Sequence, residues 1–68
     1  MSDKAHFKVF CLERYKSIHN MKGNEAYLLF KEYGVLEYLC SFYDVLHSLG
    51  DSYIVADIDE FIASRRTV

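Results

Sequence analysis

The constraint that most limits how this chain can fold is the absence of proline, combined with the presence of only three glycines. Without proline, no position removes a backbone N–H or fixes φ in a way that interrupts a helix. Gly23, Gly34 and Gly50 are then the strongest breakers, and they divide the 68 residues into four segments. Apolar residues recur at helical spacing in each segment, which predicts an all-α protein.

The same spacing predicts one domain, residues 1–68, built as a small bundle of three main helices plus a short C-terminal helix. The first helix has two apolar flanks, one with Phe7 and Cys11 and another with Val9 and Leu12. The third helix is apolar around most of its surface, which is typical of a central helix. The predicted helices cover roughly residues 3–18, 24–33, 35–49 and 57–64.

Three residues are predicted to cap these helices. Gly34 and Gly50 follow the second and third helices, where a missing Cβ removes the steric cost of the left-handed C-cap conformation. Residues 53–55 combine aromatic and β-branched side chains, which favours an extended segment. Asp57 stands three residues before Glu60, which is the spacing of an N-cap and capping box, so we expect the last helix to begin there.

The chain is too short to bury all of its large apolar side chains. It is 51% hydrophobic and 16% aromatic, and a domain of this size is near the lower limit for folding alone. Some of these side chains should therefore contact a protein partner or a second copy, which predicts a homo-oligomer, most simply a dimer. The candidate contact residues are Val9, Leu12, Arg14, Tyr27, Leu28 and Tyr38.

Charge is unevenly placed along the chain. Residues 1–31 carry six Lys and Arg against three acids, whereas residues 32–68 carry two Arg against seven acids. Such a molecule can pair with itself or steer toward a charged partner. Arg14 lies within the apolar arc of the first helix, where it either snorkels past the core edge or meets a carboxylate across an interface. Leu28 falls on the polar side of the second helix, so we expect it to be exposed.

Chemical sites have little support in the sequence. Asp44 and His47 lie one helical turn apart and could touch, as carboxylate–imidazole pairs do in general-base sites, but a structural polar pair is the simpler interpretation. Asp51 would add a third metal ligand, yet Zn²⁺ prefers more His and Cys. Tyr53 and Val55 replace the oxygen donors of an EF-hand loop. We therefore expect no catalysis, no metal and no cofactor.

A DNA-binding regulator of its own operon is one alternative, because the second and third helices around Gly34 could mimic a helix-turn-helix. The stripe that such a recognition helix would expose includes Glu37 and Asp44, whose charges repel phosphates, so we do not expect nucleic-acid binding. Only the first helix offers a group of cations, Lys4, Lys8 and Lys16. A homo-oligomeric structural protein is a second alternative.

The expected compartment follows from hydropathy and cysteine usage. The longest apolar run covers residues 26–30, far short of a membrane span. The first ten residues lack the apolar core of a signal peptide. Cys11 and Cys40 sit inside apolar patterns without CxxC spacing, as small buried hydrophobes of a reduced protein do. We expect a cytoplasmic protein that does not engage a membrane.

Several stretches together resemble a known family. They are an apolar first helix ending near "RYK", then "EAYLLFKEYGV", "YDVLH" and "YIVADIDEFI". The family is a group of short bacterial proteins called domain of unknown function 3791, and the similarity covers residues 7 to 62. The residues that carry it are Phe30, Tyr33, Gly34, Val35, Tyr43, Asp44, Leu46, His47, Tyr53, Ile54, Asp57, Ile58 and Ile62.

The resemblance implies a small companion encoded beside a larger protein that resembles an ADP-ribosyltransferase. It further implies an antitoxin-like or accessory subunit that occludes the active cleft of that neighbour, and it brings no catalytic residue with it. Together with the surplus of apolar side chains, it predicts a small non-catalytic protein-interaction module.

Overall fold

The computed structural model of the protein describes residues 3–66, and over this range all of the regular structure is helical. The prediction of an all-α protein is confirmed. The helices are α1 (Asp3–Ile18), α2 (Gly23–Tyr33), α3 (Val35–Ser41), α4 (Tyr43–Leu46) and α5 (Asp51–Arg66).

The core lies where α1 meets α3 and α5, with α2 closing one side. α1 contributes buried residues at four-residue steps, and α5 contributes a matching stripe, so each of these helices turns one face inward. The buried cluster consists of Phe7, Cys11, Tyr15, Phe30, Val35, Leu39, Leu46, Ile54, Val55, Ile58 and Ile62.

The ends of α2 follow local capping chemistry. Gly34 ends the helix in the left-handed conformation, with φ 70° and ψ 27°, as its missing Cβ allows. At the other end, the N–H of Lys22 donates to the Glu25 carboxylate at 3.0 Å. This bond at the N-terminus lets α2 begin at Gly23, one residue before the predicted start.

The predicted third helix at 35–49 is wrong in its length, because the chain forms two short helices there. Phe42 leaves helical geometry at φ −110° and ψ 22°, which separates α3 from α4. The ring of His47 and the hydroxyl of Ser48 then bond to the carbonyls of Tyr43 and Val45. The N–H of Leu49 would reach the Val45 carbonyl in a longer helix, but it donates to the carbonyl of Leu46 instead, so α4 stops at Leu46. Val45, expected in a central helix, is 63% exposed.

The prediction of an extended segment at residues 53–55, followed by a short helix at 57–64, is also wrong. α5 is one helix of 16 residues. Ile54, Ile58 and Ile62 fall at four-residue steps on its buried face, and Val55 lies beside them. Tertiary burial of this stripe outweighs the local β preference of the adjoining Tyr, Ile and Val.

Gly50 and Asp57 do not have the predicted capping roles. Gly50 lacks a positive φ and stands directly before α5, where its carbonyl accepts the N–H of Ile54 at 3.0 Å. It therefore begins α5 and does not end the preceding helix. Asp57 lies inside α5, so it cannot be an N-cap, and its carboxylate instead accepts a hydrogen bond from the Tyr38 hydroxyl.

Candidate functional site

A shallow apolar groove of about 250 Å³ opens on the surface where α1, α2 and α3 meet. Only apolar atoms form its walls. The lining residues are Ala5, Lys8, Val9, Leu12, Tyr27 and Leu36.

The groove exists because α1 is apolar on more than its buried face. Ala5, Val9 and Leu12 follow helical i, i+4, i+7 spacing, on a flank next to the stripe that enters the core. Tyr27 and Leu36 each adjoin a buried residue on α2 and α3, so they stand at the edge of the core. Val9 is 53% exposed and Tyr27 is 46% exposed, which leaves a substantial apolar surface facing water.

Three of the six predicted contact residues are brought together by the fold: Val9, Leu12 and Tyr27. The sequence analysis missed Ala5, Lys8 and Leu36. Ala5 stands one turn before Val9, so helical spacing could have identified it. Leu36 could not be identified in this way, because its place beside α1 depends on the tertiary packing of α3.

Arg14 and Leu28 lie outside the groove. The Nε–H of Arg14 donates to the Asp51 carboxylate at 2.8 Å, which ties α1 to the start of α5. Arg14 therefore has the carboxylate partner that its position indicated, but this partner belongs to the same chain. Leu28 is 60% exposed as expected and faces a separate depression on α2.

Tyr38 is engaged inside the molecule. Its hydroxyl donates to the Asp57 carboxylate at 2.5 Å, and its ring stacks on Phe61 with centroids 4.1 Å apart. Burial and this hydrogen bond to Asp57 raise the pKa of Tyr38 to about 12. The contacts hold α3 against α5, so Tyr38 does not line the groove.

The predicted polar pair of Asp44 and His47 is not formed among the described residues. The Nδ1–H of His47 donates to the carbonyl of Tyr43 at 2.6 Å, and the two rings stack at 4.5 Å. His47 also lines a cleft of about 470 Å³ together with His6, Asp3 and Asp51. Within residues 3–66, no three side chains of His, Cys, Asp or Glu converge as a metal site would require.

A second polar cluster, which the sequence did not predict, joins the end of α1 to α5. The Nε2–H of His19 donates to the Asp59 carboxylate at 3.0 Å, and the His19 ring lies 4.3 Å from that of Tyr15. Burial and the hydrogen bond to Asp59 raise the pKa of Tyr15 to about 12. His19 and Asp59 are 40 positions apart, so no local pattern could have revealed their contact.

The cysteine thiols are free, and Cys11 is fully buried. Burial, with a smaller effect of the Asp51 charge, raises the pKa of the Cys11 thiol to about 12. Since the thiolate is the nucleophilic form of cysteine, this side chain acts as a small core hydrophobe at neutral pH.

Comparison with known proteins assigns the chain to a family and no further. No helix in residues 3–66 has the length and hydropathy that a membrane crossing needs. Neither the curated proteins nor the solved structures contain a match. The family model described as protein of unknown function DUF3791 matches residues 6–65, which is nearly the whole chain. The chain therefore belongs to the DUF3791 family.

Proposed function

We propose that this protein is a small, non-catalytic, cytoplasmic interaction module that binds a protein partner through the apolar groove. The observation that supports this proposal best is a groove with purely apolar walls, formed by three helices and left open to water. Val9 and Tyr27 stand at its surface, each about half exposed. Tyrosine in an apolar pocket is typical of residues that dominate binding energy in protein interfaces.

The proposed partner is the product of the adjacent gene, a protein that resembles an ADP-ribosyltransferase. This partner is inferred from the resemblance described above, and the groove supplies a surface with which to bind it. In this proposal the chain acts as an antitoxin-like or accessory subunit that covers the neighbour's active cleft. Its own polar clusters hold helices together and have no assigned part in chemistry.

The test is co-expression with the neighbouring gene product, followed by affinity capture and titration. We expect capture by the wild-type chain and a loss of about tenfold or more in affinity for Val9→Gln, because a central apolar contact contributes more than about 1 kcal/mol. Ile18→Gln is the matched control, since Ile18 is also exposed but lies outside the groove. Absence of capture by the wild type, or an equal loss for both variants, would contradict the proposal.

Self-association is a second candidate, supported by a different surface. Four large apolar residues within the segment 42–53 are at least 40% exposed: Phe42, Val45, Leu49 and Tyr53. We propose that a dimer forms through this segment, which would leave the groove free for the partner.

DNA binding has less support than either protein contact. α3 has only seven residues and exposes Glu37 and Ser41. A carboxylate on this face would repel phosphates.

A further inference from the structure

Lys8 is the charged residue among those that line the groove. It is partly buried, and because the groove walls are apolar, its methylene chain lines the groove while its ammonium stays at the rim. The ion pairs of residues 3–66 engage Arg14, Lys16 and His19, and none engages Lys8. The rim therefore presents a cation that the described part of the chain leaves without a carboxylate.

A second copy of the chain is a poor occupant for this groove. In a two-fold symmetric contact, the same surface meets itself. Two concave grooves facing each other would leave a void, and both rims would bring Lys8 toward the shared contact. No acidic residue lines the groove to neutralise these like charges.

A helix suits the groove better than a strand. Residues 3–66 form no sheet edge to which an extended segment could add. A groove between helices instead accepts the ridge of another helix, whose apolar residues at i and i+4 enter side by side.

From these observations, and resting on the proposed function, we propose that the groove binds an amphipathic helix of another protein. Two apolar side chains of that helix, one turn apart, cover Val9, Leu12 and Tyr27. An aspartate or glutamate about one turn away pairs with the Lys8 ammonium. The apolar contacts supply most of the affinity, and the ion pair fixes which helices are accepted.

The test uses a phage-displayed library of amphipathic helical peptides, randomised around an apolar i, i+4 pair and selected against the full chain. We expect the selected peptides to carry Asp or Glu beside the apolar pair. Lys8→Glu should weaken these peptides about tenfold and, in a fresh selection, favour Lys or Arg at the same position. Lys8→Arg should retain binding, and so should Lys31→Glu, since Lys31 lies outside the groove.

Peptides without a preference for charge, or peptides that bind Val9→Gln as tightly as wild type, would overturn the inference. A dimer that Val9→Gln dissociates would also overturn it, because a second copy would then occupy the groove.

The result of the peptide selection does not depend on whether the neighbouring gene product is the partner. If the neighbouring gene product fails to bind while acidic peptides bind the groove, that partner is wrong and the chemistry of the groove stands. If it binds the groove equally well after Lys8→Glu, only the acidic contact is wrong.

Discussion

Tyr38 shows how a single residue can serve two contacts at once. Its ring stacks on Phe61, and its hydroxyl donates to the Asp57 carboxylate, so both contacts join α3 to α5. The sequence marked Tyr38 as a candidate for an external contact because aromatic residues are abundant. Spacing along α3 could not show that Tyr38 is held inside the molecule, because its carboxylate partner Asp57 lies on a different helix.

Replacing Tyr38 with Phe should keep the stacking and remove the hydrogen bond. We expect Tyr38→Phe to lower the free energy of unfolding by about 1–2 kcal/mol at pH 7, because the Asp57 carboxylate loses a partly buried donor. Urea unfolding followed by circular dichroism measures this change. Tyr53→Phe is the matched control and should be neutral, since Tyr53 is 73% exposed.

The pH dependence of this difference gives a sharper form of the same test. The folded-state pKa of Tyr38, about 12, lies above the value of about 10 for an unfolded tyrosine. Its contribution to stability is therefore fully present below pH 10 and declines as the pH rises toward 12. The stability difference between wild type and Tyr38→Phe should shrink over this interval. A difference that stays constant would show that the phenol is not held as described.

At the scale of helices, local spacing predicted some elements and failed for others. α1 covers Asp3–Ile18, the range that its apolar period predicts. Gly34 ends α2 in the left-handed conformation for a reason that is local to the backbone. The continuous α5 was missed because its buried stripe packs against residues far away in the chain, and the break at Phe42 was missed because the apolar period continues through it.

Gly34 and Gly50 give matched substitutions that test the two helix boundaries. Gly34 has φ 70°, so Gly34→Ala should cost about 1–2 kcal/mol of stability through strain in the left-handed region. An added Cβ at Gly50 would meet no atom within 4 Å, and its φ is not positive. We expect Gly50→Ala to change stability by less than about 0.5 kcal/mol, because reduced chain entropy offsets a weaker N-cap.

Thermal and urea unfolding of both variants measure these effects. Equal destabilisation by the two alanines would mean that Gly50 ends a helix in the same left-handed manner as Gly34.

At the scale of the whole molecule, packing of the helices against each other leaves a large apolar surface uncovered. It occurs at the groove and again in the segment 42–53. We expect the isolated protein to form a dimer at high micromolar concentration through the second surface, because burial of exposed apolar side chains favours association. Sedimentation velocity over a concentration series measures this state.

Val45→Gln should weaken the dimer, and Val9→Gln should leave it intact, because these valines lie on different surfaces. A clean monomer at every concentration would exclude self-association.

The candidate site was only partly predictable. Val9 and Leu12 were found because a second apolar flank on one helix is visible in the sequence. Arg14 shows the limit of this reasoning, since its carboxylate partner Asp51 is 37 residues away in the same chain. The spacing showed that an arginine in an apolar arc needs a partner, but it could not show whether that partner is internal.

The sequence by itself determined the helical class, the extent of α1 and the turn at Gly34, because helices and their caps depend on residues within about one turn of each other. Only the tertiary structure decided that α5 continues through residues 53–55 and that α3 breaks at Phe42. It also decided that Ala5, Val9, Tyr27 and Leu36 share one groove. These features depend on which helices pack together, and that choice follows from burying the best combination of apolar faces over the whole chain.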